Sequence, residues 1–150
     1  MAHLSIIPAT LADAPALSEL IQRTIRRTNA ADYDPAEIEL VCESFAPERI
    51  AEIMSRRAVY LAKQDATPVG TVSLGDGKLH ALFVDPDLQG QGLGQRLVGH
   101  VEARARTCGL QRLEVSSSIT ALPFYERLGY RLIEFEPRKI GATYLMWKKL

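Results

Sequence analysis

The sequence has no excess of charge, little cysteine and no long apolar run. Eighteen Lys and Arg balance eighteen Asp and Glu, so the formal net charge is zero. That leaves no electrostatic footprint for nucleic acid or an anionic membrane, and neither is expected as a partner. Cys42 and Cys108 are the only cysteines, too few for a disulfide framework or a zinc site, so no metal is expected. No apolar run approaches the roughly 20 residues of a membrane helix. Met1-Ala2-His3-Leu4 does not open a basic segment with a long apolar core behind it. The expected location is therefore cytoplasmic. There is no internal repeat and no low-complexity linker.

What is present suits a single domain over residues 1–150, with no room for two. Hydrophobic residues make up 47% and charged ones 24%, which excludes disorder, collagen and coiled coil. A chain of this length buries about 70% of its unfolded surface and needs no staples.

The local pattern alternates helix and strand signals. Leu4 to Ile7 reads as a first strand. Thr10 with Asp13 opens a helix whose apolar face is Leu17, Leu20, Ile21 and Ile25. Arg23, Arg26 and Arg27 fall opposite and read as a solvated face. Asp34-Pro35-Ala36-Glu37 opens a second helix, striped by Ile38, Val41, Cys42 and Phe45. Pro47 opens a third. Strands are expected over Val59–Ala62, Val69–Leu74 and Lys78–Val84, joined by turns at 65–68 and 75–77 as an antiparallel meander. A long helix then runs to Cys108, capped by Gly109. The strand Leu113–Val115, a short helix from Ala121 to Leu128, and strands Tyr130–Phe135 and Thr143–Trp147 complete the chain. The expected fold class is α/β (α+β): a mixed, mostly antiparallel central sheet flanked by helices.

The chemistry concentrates in Gln89-Gly90-Gln91-Gly92-Leu93-Gly94-Gln95. A strand runs into three glycines at alternate positions, and a helix starts at the last. Glycine permits positive φ and leaves no Cβ in a ligand's way. The first amides of a helix have no intrahelical partner, and the helix dipole adds about half a positive charge there. Such a loop can hold a phosphate or pyrophosphate without a lysine. It is not a P-loop, because Gly94 is followed by Gln95-Arg96 rather than Lys-Ser/Thr. Nor does it spell G-x-G-x-x-G from Gly90 or Gly92, and it comes too late in the chain for a dinucleotide fold.

Gln89 to Gly94 instead resembles the Q/R-x-x-G-x-G/A signature of the GNAT superfamily of N-acetyltransferases. Ser118-Ile119-Thr120-Ala121-Leu122-Pro123-Phe124-Tyr125-Glu126-Arg127-Leu128-Gly129-Tyr130 is similar to its second motif, N-x-x-A-x-x-F-Y-x-x-x-G-F/Y. One long helix and one strand lie between the two, as in the family. The resemblance covers the second half of the chain. It implies that the fourth and fifth strands splay apart and that acetyl-CoA, the cosubstrate, lies in the gap. The pantetheine arm would pair with Leu82, Phe83 and Val84. The amides of Gln89, Gly90, Gln91, Gly92, Leu93, Gly94 and Gln95 would hold the pyrophosphate. A bulge in the fourth strand would orient the thioester. Tyr125 would protonate the departing thiolate. Ser118 replaces the usual Asn, so its contact with the cofactor is open.

An amine that attacks a thioester must be neutral, so a proton has to be removed. Lys78 stands where several family members carry a Glu, and a charged lysine cannot be the base. His80, two residues on, shares its face of the strand. Its unperturbed pKa near 6.5 suits a base at neutral pH. Glu114 is a second candidate. The expected function is transfer of an acetyl group to a primary amine, small-molecule or peptide, within a ternary complex. The alternative is a non-catalytic acyl-CoA sensor, which would not need Tyr125. The acceptor would be set by residues 24–54 and 135–149. A monomer and a homodimer are both compatible with the sequence. The apolar C-terminal strand Tyr144-Leu145-Met146-Trp147 either pairs across a dimer or finishes the sheet.

Overall fold

Local signals set most element ends in the computed structural model, which describes residues 3–150. Strand β1 (Leu4–Pro8) is followed by a short 3-10 turn and helix α1 (Ala14–Thr28). Thr10 and Asp13 close a reciprocal capping box, with Thr10 N–H donating to Asp13 Oδ2 at 2.7 Å. Helix α2 (Pro35–Glu43) has its own box between Asp34 and Glu37, with proline at the first helical position. Helix α3 spans Pro47–Met54.

Strands β2 (Ala58–Gln64), β3 (Thr67–Gly75) and β4 (Lys78–Val84) form the expected meander. The β3–β4 turn is Asp76-Gly77, with both φ angles positive (52° and 72°), the geometry that matches strand twist in a two-residue hairpin. Helix α4 (Leu93–Thr107) crosses over to β5 (Arg112–Ser118), which runs parallel to β4. Helix α5 (Leu122–Arg127), β6 (Arg131–Glu136) and β7 (Thr143–Lys149) follow.

The seven strands form one sheet in the order β1-β2-β3-β4-β5-β7-β6. All neighbours are antiparallel except β4 and β5. The C-terminal strand β7 therefore lies inside the sheet, between β5 and β6, and β6 is the outer edge. Of the two expectations for Tyr144–Trp147, pairing across a dimer is excluded, because both edges of this strand are already filled.

Each sheet face carries its own core. On one face α4 and α5 cover Leu79, Leu97, Val101, Leu113, Val115, Tyr125 and Met146. On the other, α1, α2 and α3 bury Leu17, Ile21, Ile25, Ile38, Cys42, Ile50 and Leu61. Cys42 is a small core residue, 1% exposed. These two cores hold the sheet rigid on both sides of the place where β4 and β5 part.

Candidate active site

Only two residue pairs join β4 to β5: Lys78 with Glu114 and Leu79 with Val115. Beyond them the strands separate. His80 to Val84 on one side, and Ser116 to Ser118 on the other, have no cross-strand partner at this fork. The β4 edge lining it therefore presents backbone donors and acceptors, the groups that an extended ligand can pair with.

A bulge sits at the same point. The register against β3 steps from Ser73–His80 to Thr71–Phe83, leaving Val72 opposite Ala81 and Leu82. Ala81 has φ 50°, a left-handed conformation that costs a non-glycine residue roughly 1–2 kcal/mol. The extra residue changes side-chain parity along the strand. Leu79, Leu82 and Val84 all pack toward the α4–α5 core, whereas Phe83 packs into the α1–α3 core. His80 alternates with Leu79 and so lies on the Phe83 face.

The glycine loop leads from the open end of the fork into α4. Gly90 and Gly92 have φ of 80° and 82°, and a Cβ at either position would meet no protein atom within 4 Å. Gly92 is the helix N-cap, and no side chain among the described residues caps the helix. The first intrahelical bond runs from Arg96 N–H to the Gly92 carbonyl. The amides of Leu93, Gly94 and Gln95 are thus left pointing outward. Gly94 differs from the other two glycines. Its Cβ would lie 3.2 Å from Phe124 Cζ, so the missing side chain here serves the approach of α5.

Helix α1 braces the loop. Arg23 pairs with Asp85 at 2.6 Å and Arg27 with Asp87 at 3.2 Å. Gln89 Nε2 donates to Thr28 Oγ1 and to the Val84 carbonyl. Asp85 also accepts from Asp87 N–H. The α1 arginines are exposed, as expected of a solvated face, and each is also paired on that surface, Arg26 with Glu39 at 3.0 Å. The carboxylates that Arg23 and Arg27 meet are about 60 residues away in sequence, so the pairing has no local signal. A groove of about 570 Å³ runs along these arginines, but they are occupied by carboxylates and it is not the fork.

Tyr125 lies on α5, 4% exposed, in the core that contains Leu79 and Val115. It stacks edge-on with Tyr130, centroids 5.5 Å apart. The Tyr130 hydroxyl donates to Glu102 at 2.8 Å, but the Tyr125 hydroxyl has no partner among the described residues. Burial alone pushes the Tyr125 phenol well above its usual range, so it stays protonated. Ser118, at the end of β5, accepts from Ala121 N–H at 3.1 Å and holds the start of α5.

His80 is half-buried. Its Nε2 lies 3.1 Å from the Gly75 carbonyl. A carbonyl can only accept, so Nε2 carries the proton and Nδ1 is left as the acceptor. Burial, and then the charge of Arg57, lower its pKa below the ordinary 6.5, so the ring is neutral at pH 7. Glu114 sits at the closed end of the fork, paired with Arg112 at 3.0 Å. Arg112 in turn lies over the Trp147 ring, 4.7 Å from its centroid.

Three further residues near the fork, Ser116, Glu136 and Tyr33, carried no sequence signal. Lys78 Nζ donates to Ser116 Oγ at 3.1 Å. Glu136 accepts from Thr143 Oγ1 at 2.8 Å. Burial raises the Glu136 carboxyl, but hydrogen bonds from Thr143 and Ser116 and the charges of Arg138 and Lys78 outweigh it, so it ends below its usual range. Tyr33, between α1 and α2, accepts from Ile119 N–H and donates to the Ala142 carbonyl, both at 2.8 Å. Gly141 N–H donates to Glu37 Oε2 at 3.0 Å nearby. Three loops are thereby tied together.

This arrangement can be set against known proteins. The family described as the acetyltransferase (GNAT) domain matches residues 29–150. The chain belongs to the GNAT family of acetyltransferases. The uncharacterized N-acetyltransferase YafP of Escherichia coli (strain K12) is 28% identical over 122 residues, covering 81% of this chain and 77% of YafP. A GCN5-related N-acetyltransferase from Rhodopseudomonas palustris superposes with a TM-score of 0.93 at 26% identity, over 100% of this chain and 98% of the other. The PaiA N-acetyltransferase of Thermoplasma acidophilum, solved with coenzyme A, shares the fold with a TM-score of 0.84 at 19% identity, over 99% of each chain. The fork is thus part of a GNAT fold. Among the described residues no group of three His, Cys, Asp or Glu could hold a metal ion, and no helix is long and apolar enough to cross a membrane.

Proposed function

We propose that this GNAT protein transfers the acetyl group of acetyl-CoA to a primary amine by direct attack in a ternary complex. The observation that carries the reading is the fork: two paired residues, then an open β4 edge with a bulge, leading to an uncapped helix N-terminus. An extended amide chain ending in a pyrophosphate fits both halves. Its amides pair with the β4 backbone at Leu82, Phe83 and Val84. Its pyrophosphate accepts from amides within Gln89 to Gln95.

The chemistry follows from the two faces. The neutral amine attacks the thioester carbonyl carbon, and the carbonyl oxygen takes up negative charge. Backbone N–H groups turned by the Ala81 bulge stabilise that oxyanion. The C–S bond breaks and the electron pair leaves on sulfur. Tyr125 donates its proton toward the departing thiolate from the α4–α5 side. His80, from the opposite face, takes the ammonium proton at Nδ1, directly or through water. The net products are the N-acetyl amine and coenzyme A. Ser118, engaged with the Ala121 amide, positions α5 and hence Tyr125.

A binding protein without turnover is the second reading. A buried phenol with an unpartnered hydroxyl favours the enzyme, because a sensor has no thiolate to protonate. The test is thiol release from acetyl-CoA with a panel of amines. Amine-dependent release supports the proposal. Tight CoA binding with no release on any amine contradicts it.

A further inference from the structure

We propose that Arg57 is a positioning residue for the acetyl transfer: its side chain fills the space over Gly75 and so fixes the backbone carbonyl that holds the His80 ring. The inference rests on the reading of His80 as the base. Arg57 immediately precedes β2, and Ala58 pairs with Leu74, so Arg57 stands beside Gly75 at the end of β3. Alternation puts Arg57 on the face of Val59, two residues on, which packs into the α1–α3 core. Leu74 packs toward the α4–α5 core, so a side chain on Gly75 would point the other way, toward Arg57. That is the face on which His80 lies.

Gly75 owes its lack of a side chain to this neighbour. It is not among the glycines with positive φ, so the turn does not require it. A Cβ there would lie 2.7 Å from Arg57 Cγ and 3.4 Å from Arg57 Cβ. Arg57 is itself anchored, because its N–H donates to the Ile53 carbonyl of α3 at 2.9 Å. Its stem therefore lies against Gly75, whose carbonyl accepts from His80 Nε2 at 3.1 Å. That bond keeps the proton on Nε2 and leaves Nδ1 free to take one. No ion pair engages Arg57 among the described residues, so no bonded carboxylate cancels its charge. Burial of the ring is the first influence keeping it neutral, Arg57 the second, and Lys78 on β4 adds to both. The Gly75 carbonyl and Asp76 in the turn act the other way.

The test follows the His80 ring by NMR of the full chain with nitrogen-labelled histidine, beside amine-dependent thiol release as a function of pH. His80→Gln assigns the ring signals. Arg57→Met keeps most of the stem and removes the charge. Its neutral ring should stay protonated on Nε2, titrate at higher pH than in the wild type, and carry the acid limb of activity upward with it. Arg57→Lys restores the charge and should return both toward the wild type. Gly75→Ala changes no charge but displaces the stem, and should give a mixture of the two neutral tautomers. The same spectra show that each variant is folded. An Arg57→Met ring that titrates as in the wild type, or a Gly75→Ala ring that keeps a single tautomer, would overturn the proposal and leave His80 as the base. A ring that moves while the activity limb stays fixed would overturn His80 as the base, and with it the role of Arg57 in the reaction.

Discussion

Leu79 and Val115 are the last paired residues of β4 and β5, and both are buried in the core that holds Tyr125. The fork thus opens directly from packed structure rather than from a frayed end. Its apex is fixed by side chains 1% and 2% exposed, while its arms keep free backbone groups. A rigid apex with open arms positions an extended ligand at little ordering cost.

Tyr125→Phe should lower turnover by about 10²–10⁴-fold, the usual range for a lost acid–base group. The hydroxyl has no partner to strand among the described residues and the ring is retained, so the melting temperature should change little. The check pairs kcat with a melting curve. Unchanged turnover at neutral pH would remove Tyr125 from the mechanism.

His80 sets a pH dependence. Its folded pKa lies below the unfolded value, so between the two the unfolded state binds more protons and stability rises with pH. The group weakens the fold as pH drops below about 6.5. Activity should follow the same direction, rising with an apparent pKa under 6.5 and reaching a plateau by neutrality. This limb should persist when acceptor amines of different basicity are compared, and His80→Gln should abolish it. A limb that tracks only the amine would leave His80 without a role as base.

Gly92→Val should remove the response to coenzyme A. The introduced branch would stand in the space before the helix amides, where no protein atom lies within 4 Å. Its φ of 82° makes the variant less stable as well, by at least the roughly 1–2 kcal/mol of a left-handed residue. Isothermal titration on the folded fraction separates the two effects. Wild-type affinity would refute the pyrophosphate assignment.

Tyr33→Phe would strand the Ile119 N–H and the Ala142 carbonyl. Both groups are part-buried, so a cost of about 1 kcal/mol is expected for the lost hydrogen bonds. Amide exchange near residues 119 and 142 should accelerate. Unaltered exchange would mean that the three loops hold together without this hydroxyl.

Much of the fold was legible because its signals are local. Asp34-Pro35-Ala36-Glu37 opens α2, Asp76-Gly77 turns the hairpin, and Gly90 and Gly92 take the positive φ that glycine permits. The position of β7 was not legible, since an apolar strand looks alike at an edge and inside a sheet. The Arg23–Asp85 and Arg27–Asp87 braces join residues about 60 apart, beyond any periodicity. Glu136 and Ser116 meet only because β5, β7 and β6 lie side by side in that order. The packing reason for Gly94 was not legible on the same ground: Phe124, which requires its small size, arrives from another helix.

The most direct test of the fork and its helix terminus is a thermal shift with acetyl-CoA, CoA, ATP and NADH. At 100 times its Kd a ligand adds about 2.7 kcal/mol, which for this size means roughly 5–10 °C. The account predicts that shift for acetyl-CoA and CoA and not for ATP or NADH. No shift with either CoA species, or an equal shift with ATP, would contradict it.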